Sequence, residues 1–188
     1  KLYLNNASPG YTPTSVQGTW NDSTPLVNKA CSTSKDTSGS PASAGDQVGD
    51  GVSGHTYLEA RYISDALTEN LQFTSGQAWS GVIALFESSS SCNAYLYMTA
   101  WVTQGDSSTP RGVLFSNYTD ANEASTGTTT CGEGCSGTLA DTFVGRVGDR
   151  IVLEVGAKHN TTYTTYYSRT YYGGSGSDLA DDGNGTSN

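Results

Sequence analysis

Three acids, two histidines and four cysteines are the side chains here that could carry chemistry. Glu59, Glu87 and Glu154 fall in stretches that read as strands, where paired carboxylates can serve as acid and base in glycoside hydrolysis. Glu154 sits between apolar neighbours on an expected outer face, and Glu87 ends its strand, so a working pair is not expected. His55 follows a loop and His159 ends a strand, which makes each a surface or turn residue rather than a general base. No Gly-x-Ser-x-Gly elbow is present, and nothing in the spacing supports a Ser-His-Asp arrangement. The expectation is a non-enzymatic chain with no catalytic residue, cofactor or metal.

The four cysteines are Cys31, Cys92, Cys131 and Cys135. An even number in a Ser/Thr-rich chain suggests disulfides and an oxidising setting. Cys131–Cys135, across a glycine-containing turn, and Cys31–Cys92 are the expected pairs. A zinc site with His55 or His159 is the rival reading, but Cys-x-x-x-Cys is an unusual zinc spacing and the other cysteines are dispersed. Gly132-Glu133-Gly134-Cys135-Ser136-Gly137 matches a dinucleotide-binding string but lacks the strand-to-helix context, and reads as a cysteine-closed turn. Asp181-Asp182-Gly183-Asn184-Gly185 resembles part of a calcium loop without its downstream bidentate acid; Asp46 and Asp50 make a similarly weak case.

The aromatic residues point to contact rather than reaction. Tyr163, Tyr166, Tyr167, Tyr171 and Tyr172 crowd one stretch, and Trp79 and Trp101 stand on or beside expected strands. Exposed rings stack on sugars and anchor protein interfaces, so these residues are the candidate interface or glycan contacts. Sequons beginning at Asn6, Asn21, Asn117, Asn160 and Asn184 matter only in a host that glycosylates.

The elements that must position these residues are strands. Val82 to Phe86 and Ala94 to Val102 flank a serine run and are expected to form a hairpin. In the second, Leu96, Met98, Ala100 and Val102 face one way, and Tyr95, Tyr97, Thr99 and Trp101 the other. Gly112 to Phe115, Ile151 to Gly156 and Thr161 to Tyr172 read as further strands. His55 to Leu71 fits either a helix or a strand, and the strand is preferred because its neighbours are strands. Trp20 is expected to anchor its polar surroundings to the core. Residues 32–54 read as a long Ser/Gly-rich loop, and 173–188 as a flexible tail. The whole is one all-β domain over 1–188: an antiparallel sandwich, jelly-roll-like, with long polar loops.

Composition agrees. Charged residues make up 14% of the 188, against about 25% in ordinary domains. Ser, Thr, Asn and Gly supply solubility instead, which lets identical copies pack closely. The net charge of −9 disfavours nucleic acid and anionic membranes as partners. No apolar run approaches the roughly 20 residues of a membrane helix. The sequence starts at Lys1 without a leader, which does not argue for a cytoplasmic location.

Several segments in order carry a likeness: Lys1-Leu2-Tyr3-Leu4-Asn5-Asn6-Ala7, Thr103-Gln104-Gly105, Pro110-Arg111-Gly112-Val113-Leu114, Gly148-Asp149-Arg150-Ile151-Val152-Leu153-Glu154-Val155-Gly156, Tyr171-Tyr172-Gly173 and Ser177-Asp178-Leu179. Together they resemble a family of uncharacterised proteins encoded in tailed-phage and environmental viral genomes. The resemblance implies a virion-associated β-sandwich with no catalytic residues. The chain departs from it in its cysteines, in the insertion at 32–54, and in ending without a final apolar strand. Either the chain continues or a partner subunit supplies that edge. The functional expectation is a virion structural or adhesive subunit: a capsid decoration, fibre or tail-associated protein. It would be extracellular or in the virion, and partnered by copies of itself, by other virion or filament proteins, or by glycan. A carbohydrate-binding module and a filament subunit are the alternatives.

Overall fold

The computed structural model describes residues 1–37, 39–126 and 132–179. Among them there is no helix; the chain runs through β1 (Tyr3–Leu4), β2 (Val27–Ser32), β3 (Ala42–Ser43), β4 (Gln47–Val48), β5 (His55–Ser64), β6 (Leu71–Phe73), β7 (Ala78–Glu87), β8 (Ala94–Thr103), β9 (Pro110–Glu123), β10 (Glu133–Thr138), β11 (Phe143–Gly145), β12 (Ile151–His159) and β13 (Tyr167–Tyr172). The first sheet has the order β1-β2-β5-β12-β8-β9 and the second β10-β7-β13-β3, with β4 also on β13. β6 and β11 form a small ribbon. All pairs are antiparallel except β2 with β5.

The two sheets meet face to face. Ala60, Tyr62, Leu96, Met98, Val155 and Ala157 of the first pack against Ile83, Leu85, Cys135 and Tyr172 of the second. The period-2 alternation that sends Leu96, Met98, Ala100 and Val102 inward is the pattern expected of β8. His55–Ser64 is a strand, as preferred over a helix: its inner residues pack on the second sheet, and Leu58 and Ile63 pack on the outer side. The all-β antiparallel class is therefore realised as two packed sheets.

Two local expectations differ. β7 and β8 are not a hairpin: β7 lies between β10 and β13, while β8 lies between β12 and β9. The serine run between them crosses from one sheet to the other, which local alternation cannot distinguish from a turn within one sheet. Within 32–54, the described residues include β3 and β4, which hydrogen-bond to β13 and so form the edge of the second sheet rather than a loop without structure. Of the expected tail, 180–188 lies outside the described residues; Ser175 to Leu179 run past the β1 end, where Lys1 and Lys35 both pair with Asp178.

Candidate functional site

The outer side of the first sheet shows what the acids do. Glu154, on the central strand β12, is fully buried beneath residues 13–20, which cross the sheet as a strap. Its Oε1 accepts from Gln17 N at 2.9 Å and Trp101 Nε1 at 2.8 Å, and its Oε2 from Gly18 N at 2.9 Å and Trp20 Nε1 at 2.8 Å. Only a carboxylate, an acceptor at both oxygens, completes that set. Arg61 donates to the carbonyls of Pro13 and Ser15 in the same strap. Burial holds the Arg61 guanidinium below its usual value, against the opposing pull of Glu154. Trp20 stands edge-on to Tyr97 at 4.9 Å, confirming its place as the anchor of this arm.

Glu59 and Glu87 lie on the other side of the sheet, inside the sandwich, so the three acids do not form a catalytic pair. Ser168 on β13 donates to Glu59 and contacts His159 Nε2 at 2.7 Å. All three are buried. Burial pushes the Glu59 carboxyl up to about 7 and the His159 imidazole down to about 4. The order of this chain is acid, serine, imidazole, with the hydroxyl in the middle. A nucleophilic triad needs the imidazole there, and an accessible hydroxyl. His159 was expected at the surface; it is 1% exposed because β12 continues past Gly156 and carries it inside. Glu87 accepts from Ala94 N at 2.9 Å, and burial, reinforced by Glu123, pushes its carboxyl up to about 8.

The disulfide Cys31–Cys92 is not formed; both are buried free thiols. Cys31 stands beside Ser64 at one end of the first sheet, while Cys92 precedes Ala94, which pairs with His159 at the other. The length of β12 separates them, ~25 Å at the rise of a strand, where a disulfide needs Cβ atoms within about 4.5 Å. Cys131, and with it the expected Cys131–Cys135 bond, lies outside the described residues. The glycine string from Gly132 is not a turn: residues 133–138 form β10, paired with β7. Among the described residues no group of three His, Cys, Asp or Glu is placed to hold a metal. Asp46 pairs with Arg169 and Asp50 with His55 instead; the string from Asp181 lies outside the described residues.

Three of the segments singled out in the sequence, 103–105, 110–114 and 148–156, meet at one corner. Asp149 accepts from Arg111 Nε at 2.7 Å, Gly105 N at 2.8 Å and Arg146 N at 2.8 Å. Burial opposes its ionisation, but these donors prevail and hold the carboxyl down at about 2. Thr103 Oγ1 accepts from Arg150 N at 3.0 Å. Thr103, Arg111, Asp149 and Arg150 thereby join the ends of β8 and β9 to the start of β12.

The aromatic candidates divide. Trp101 is buried under the strap and Tyr172 inside the sandwich, edge-on to Tyr62 at 6.1 Å, so neither is a surface contact. Both were expected outside because alternation gives two faces but not which of them is covered. Trp79 stacks on Phe115 at 3.9 Å and is half-buried. Tyr167 and Tyr171 alternate outward on β13, with Arg169 between them and Phe86 beside it on β7. The Arg169 guanidinium lies 4.8 Å from the Tyr167 ring centre and 5.8 Å from that of Phe86, and pairs with Asp46, which raises its affinity for the proton. Tyr163, 54% exposed, meets Tyr166 edge-on at 5.1 Å in the segment that leads into β13. Phe86, Tyr167, Arg169 and Tyr171 thus share the outer side of the second sheet, while Tyr163 meets Tyr166, which itself packs against the core. Phe86, Arg169 and Asp46 were missed, since only the pairing of β7, β13 and the 44–48 segment brings them together.

No protein-family model matches this chain, and no curated protein matches it.

Proposed function

We propose that this chain is a non-enzymatic structural or adhesive subunit of a larger extracellular particle, a virion component such as a decoration, fibre or tail-associated protein. The observation that carries the reading is the aromatic face on β13. Rings and a guanidinium lie outward there, while Glu59, Glu87, Glu154, His159 and Ser168 are buried and bonded within the fold. Large rings with a planar cation among them are the composition of interface anchors. The low charge of the surface lets copies or other subunits approach without strong repulsion.

The test is the assembly state of the purified chain, by light scattering and electron microscopy, beside the variant Tyr167→Ser/Tyr171→Ser. A defined oligomer or filament that the variant loses supports the reading. A strict monomer at high concentration removes self-assembly and leaves docking on a different protein or on glycan. Glycan binding is a second reading of the same face, because stacked rings beside the Arg169–Asp46 pair suit a sugar's apolar face and hydroxyls. Glycan-array binding lost in the same variant would favour it.

A further inference from the structure

The second sheet has a gap. β13 runs beside β7 only from Ala84 to Glu87, with Tyr171 opposite Ala84. From Ala78 to Ile83, β7 is paired with β10 on one side, and on the other side no strand among the described residues pairs with it. The chain leaves that line at Gly173 and Gly174, whose φ of +73° and +87° turn it aside in a conformation glycine tolerates. Gly173 N then bonds to Leu4 O at 2.7 Å, fixing the exit.

The open edge has its polar groups aimed into the gap. Glu87 donates its N–H to Ser125, on the side away from β13. Backbone direction alternates along an unbroken strand, so Ala84 and Phe86 point toward β13, and Val82 and Ser80 point into the vacant position. Ser80 is exposed and Val82 half-buried. Below the gap the described residues cover the first sheet only in part. Leu153 lies mid-sheet on β12, flanked in register by Tyr62 and Ala100, yet is only half-buried, as is Ile151. The cavity there is about 1020 Å³, with Met98, Ala100, Ile151 and Leu153 as its floor and Leu4 and Trp79 at its sides.

The geometry points to a receiving slot for one extended strand of a partner subunit, which lies along β7 from Ala78 to Ile83 and sends alternate apolar side chains onto Leu153 and Ile151. An acyl chain would cover the floor but leave the main-chain groups of Ser80 and Val82 unpaired; a strand satisfies both. The chain's own residues 180–188, Ala-Asp-Asp-Gly-Asn-Gly-Thr-Ser-Asn, carry no alternating apolar side chains for that floor. This inference rests on the structural-subunit reading and names how such a subunit would be joined.

The probe is the synthetic peptide Lys-Lys-Thr-Val-Thr-Val-Thr-Val-Lys-Lys, titrated into the full chain and followed by calorimetry and by amide hydrogen exchange at Ser80 and Val82. Saturable one-to-one binding that slows exchange at both amides at least tenfold is expected. Val82→Pro removes a donor aimed into the slot and none aimed at β10, and edge positions tolerate proline; it should weaken the peptide at least tenfold. Ala100→Leu, which fills the floor, should do the same. Circular dichroism checks that each variant is folded, and Ser80→Pro replaces Val82→Pro if that one is not. Absence of saturable binding to the wild type, or binding unchanged in the folded variants, overturns the slot. Particles that form by the β13 face while the peptide fails would overturn the slot alone. Peptide capture by a chain that neither assembles nor docks would instead overturn the subunit reading.

Discussion

Arg61 and Glu154 stand directly opposite each other in the register of β5 and β12, and each holds the strap that crosses above it. Glu154 takes the strap's N–H groups and Arg61 its carbonyls. Each charge thus has an opposite charge as its register neighbour and is hydrogen-bonded to the strap above it, which offsets part of the cost of burying it. The strap's Trp20 and Val16 in turn pack on Leu58 and Tyr97, an apolar patch on that side of the sheet.

Glu154→Gln should be strongly destabilising. One carboxylate oxygen becomes an NH₂ facing two N–H donors, so a pair of buried donors loses its acceptor. The expected cost is about 3 kcal/mol, or roughly 6–12 °C in melting temperature for a chain of this size. Thermal unfolding followed by tryptophan fluorescence reads both the loss and any exposure of Trp20 and Trp101. Arg61→Met combined with Glu154→Gln should cost less than the sum of the two, since each single change leaves the other group unbalanced. Strict additivity would show that the two act independently.

Much of the sheet was legible from period-2 patterns. β8 alternates as the pattern selects, with Leu96, Met98, Ala100 and Val102 inward; β5 departs from it at the slip against β12, where Leu58 turns outward while Glu59 and Ala60 both face inward. What alternation lacks is a partner list. It could not tell that β7 leaves β8 for the other sheet, that Trp101 lies under a strap far away in sequence, or that Ser168 would reach both Glu59 and His159. The aromatic cluster on β13 was half legible: a run of tyrosines marks the strand, but the Phe86 and Asp46 that meet Arg169 come from other segments.

Cys31 and Cys92 should resist labelling in the folded chain. Both are buried, and burial pushes each thiol up to about 12, so almost no thiolate exists at neutral pH. Maleimide treatment followed by peptide mapping should leave both unmodified until denaturant is added. Recovery of a Cys31–Cys92 cross-linked peptide would contradict the strand order, which sets them at opposite ends of β12.

Gly156 marks the irregularity where β12 slips against β5, between Val155 and Gly156. A Cβ there would come within 1.9 Å of the Tyr57 carbonyl oxygen and 2.9 Å of the Glu59 N, both of them backbone atoms that cannot swing aside. Gly156→Ala should therefore cost more than about 3 kcal/mol and give little folded protein. Gly76→Ala is the control for handling, since nothing lies within 4 Å of its Cβ position. It carries a φ of +83°, so only the milder strain of a left-handed alanine, about 1 kcal/mol, is expected. Comparable melting temperatures for the two variants would mean that the slip at Gly156 can be relaxed.

Stability should peak on the acid side of neutrality. Glu59 and Glu87 have folded values of about 7 and about 8 against an ordinary 4.5, so the folded chain holds protons that the unfolded chain has released. Their contribution is complete below pH 4.5 and is lost as pH rises through 7 and 8. His159 opposes them over part of that range. Its folded value of about 4 lies below the ordinary 6.5, so its contribution is present above 6.5 and is lost as pH falls through 4. Between these limits two acids outweigh one imidazole, and the chain should lose stability steadily from about pH 5 to pH 8 by urea unfolding. Glu59→Gln keeps an acceptor for Ser168 without the titration and should flatten the slope below pH 7; Glu87→Gln should flatten the part nearest pH 8. A wild-type curve that rises over this range would mean that both carboxyls are ionised in the fold, with water or a cation reaching them.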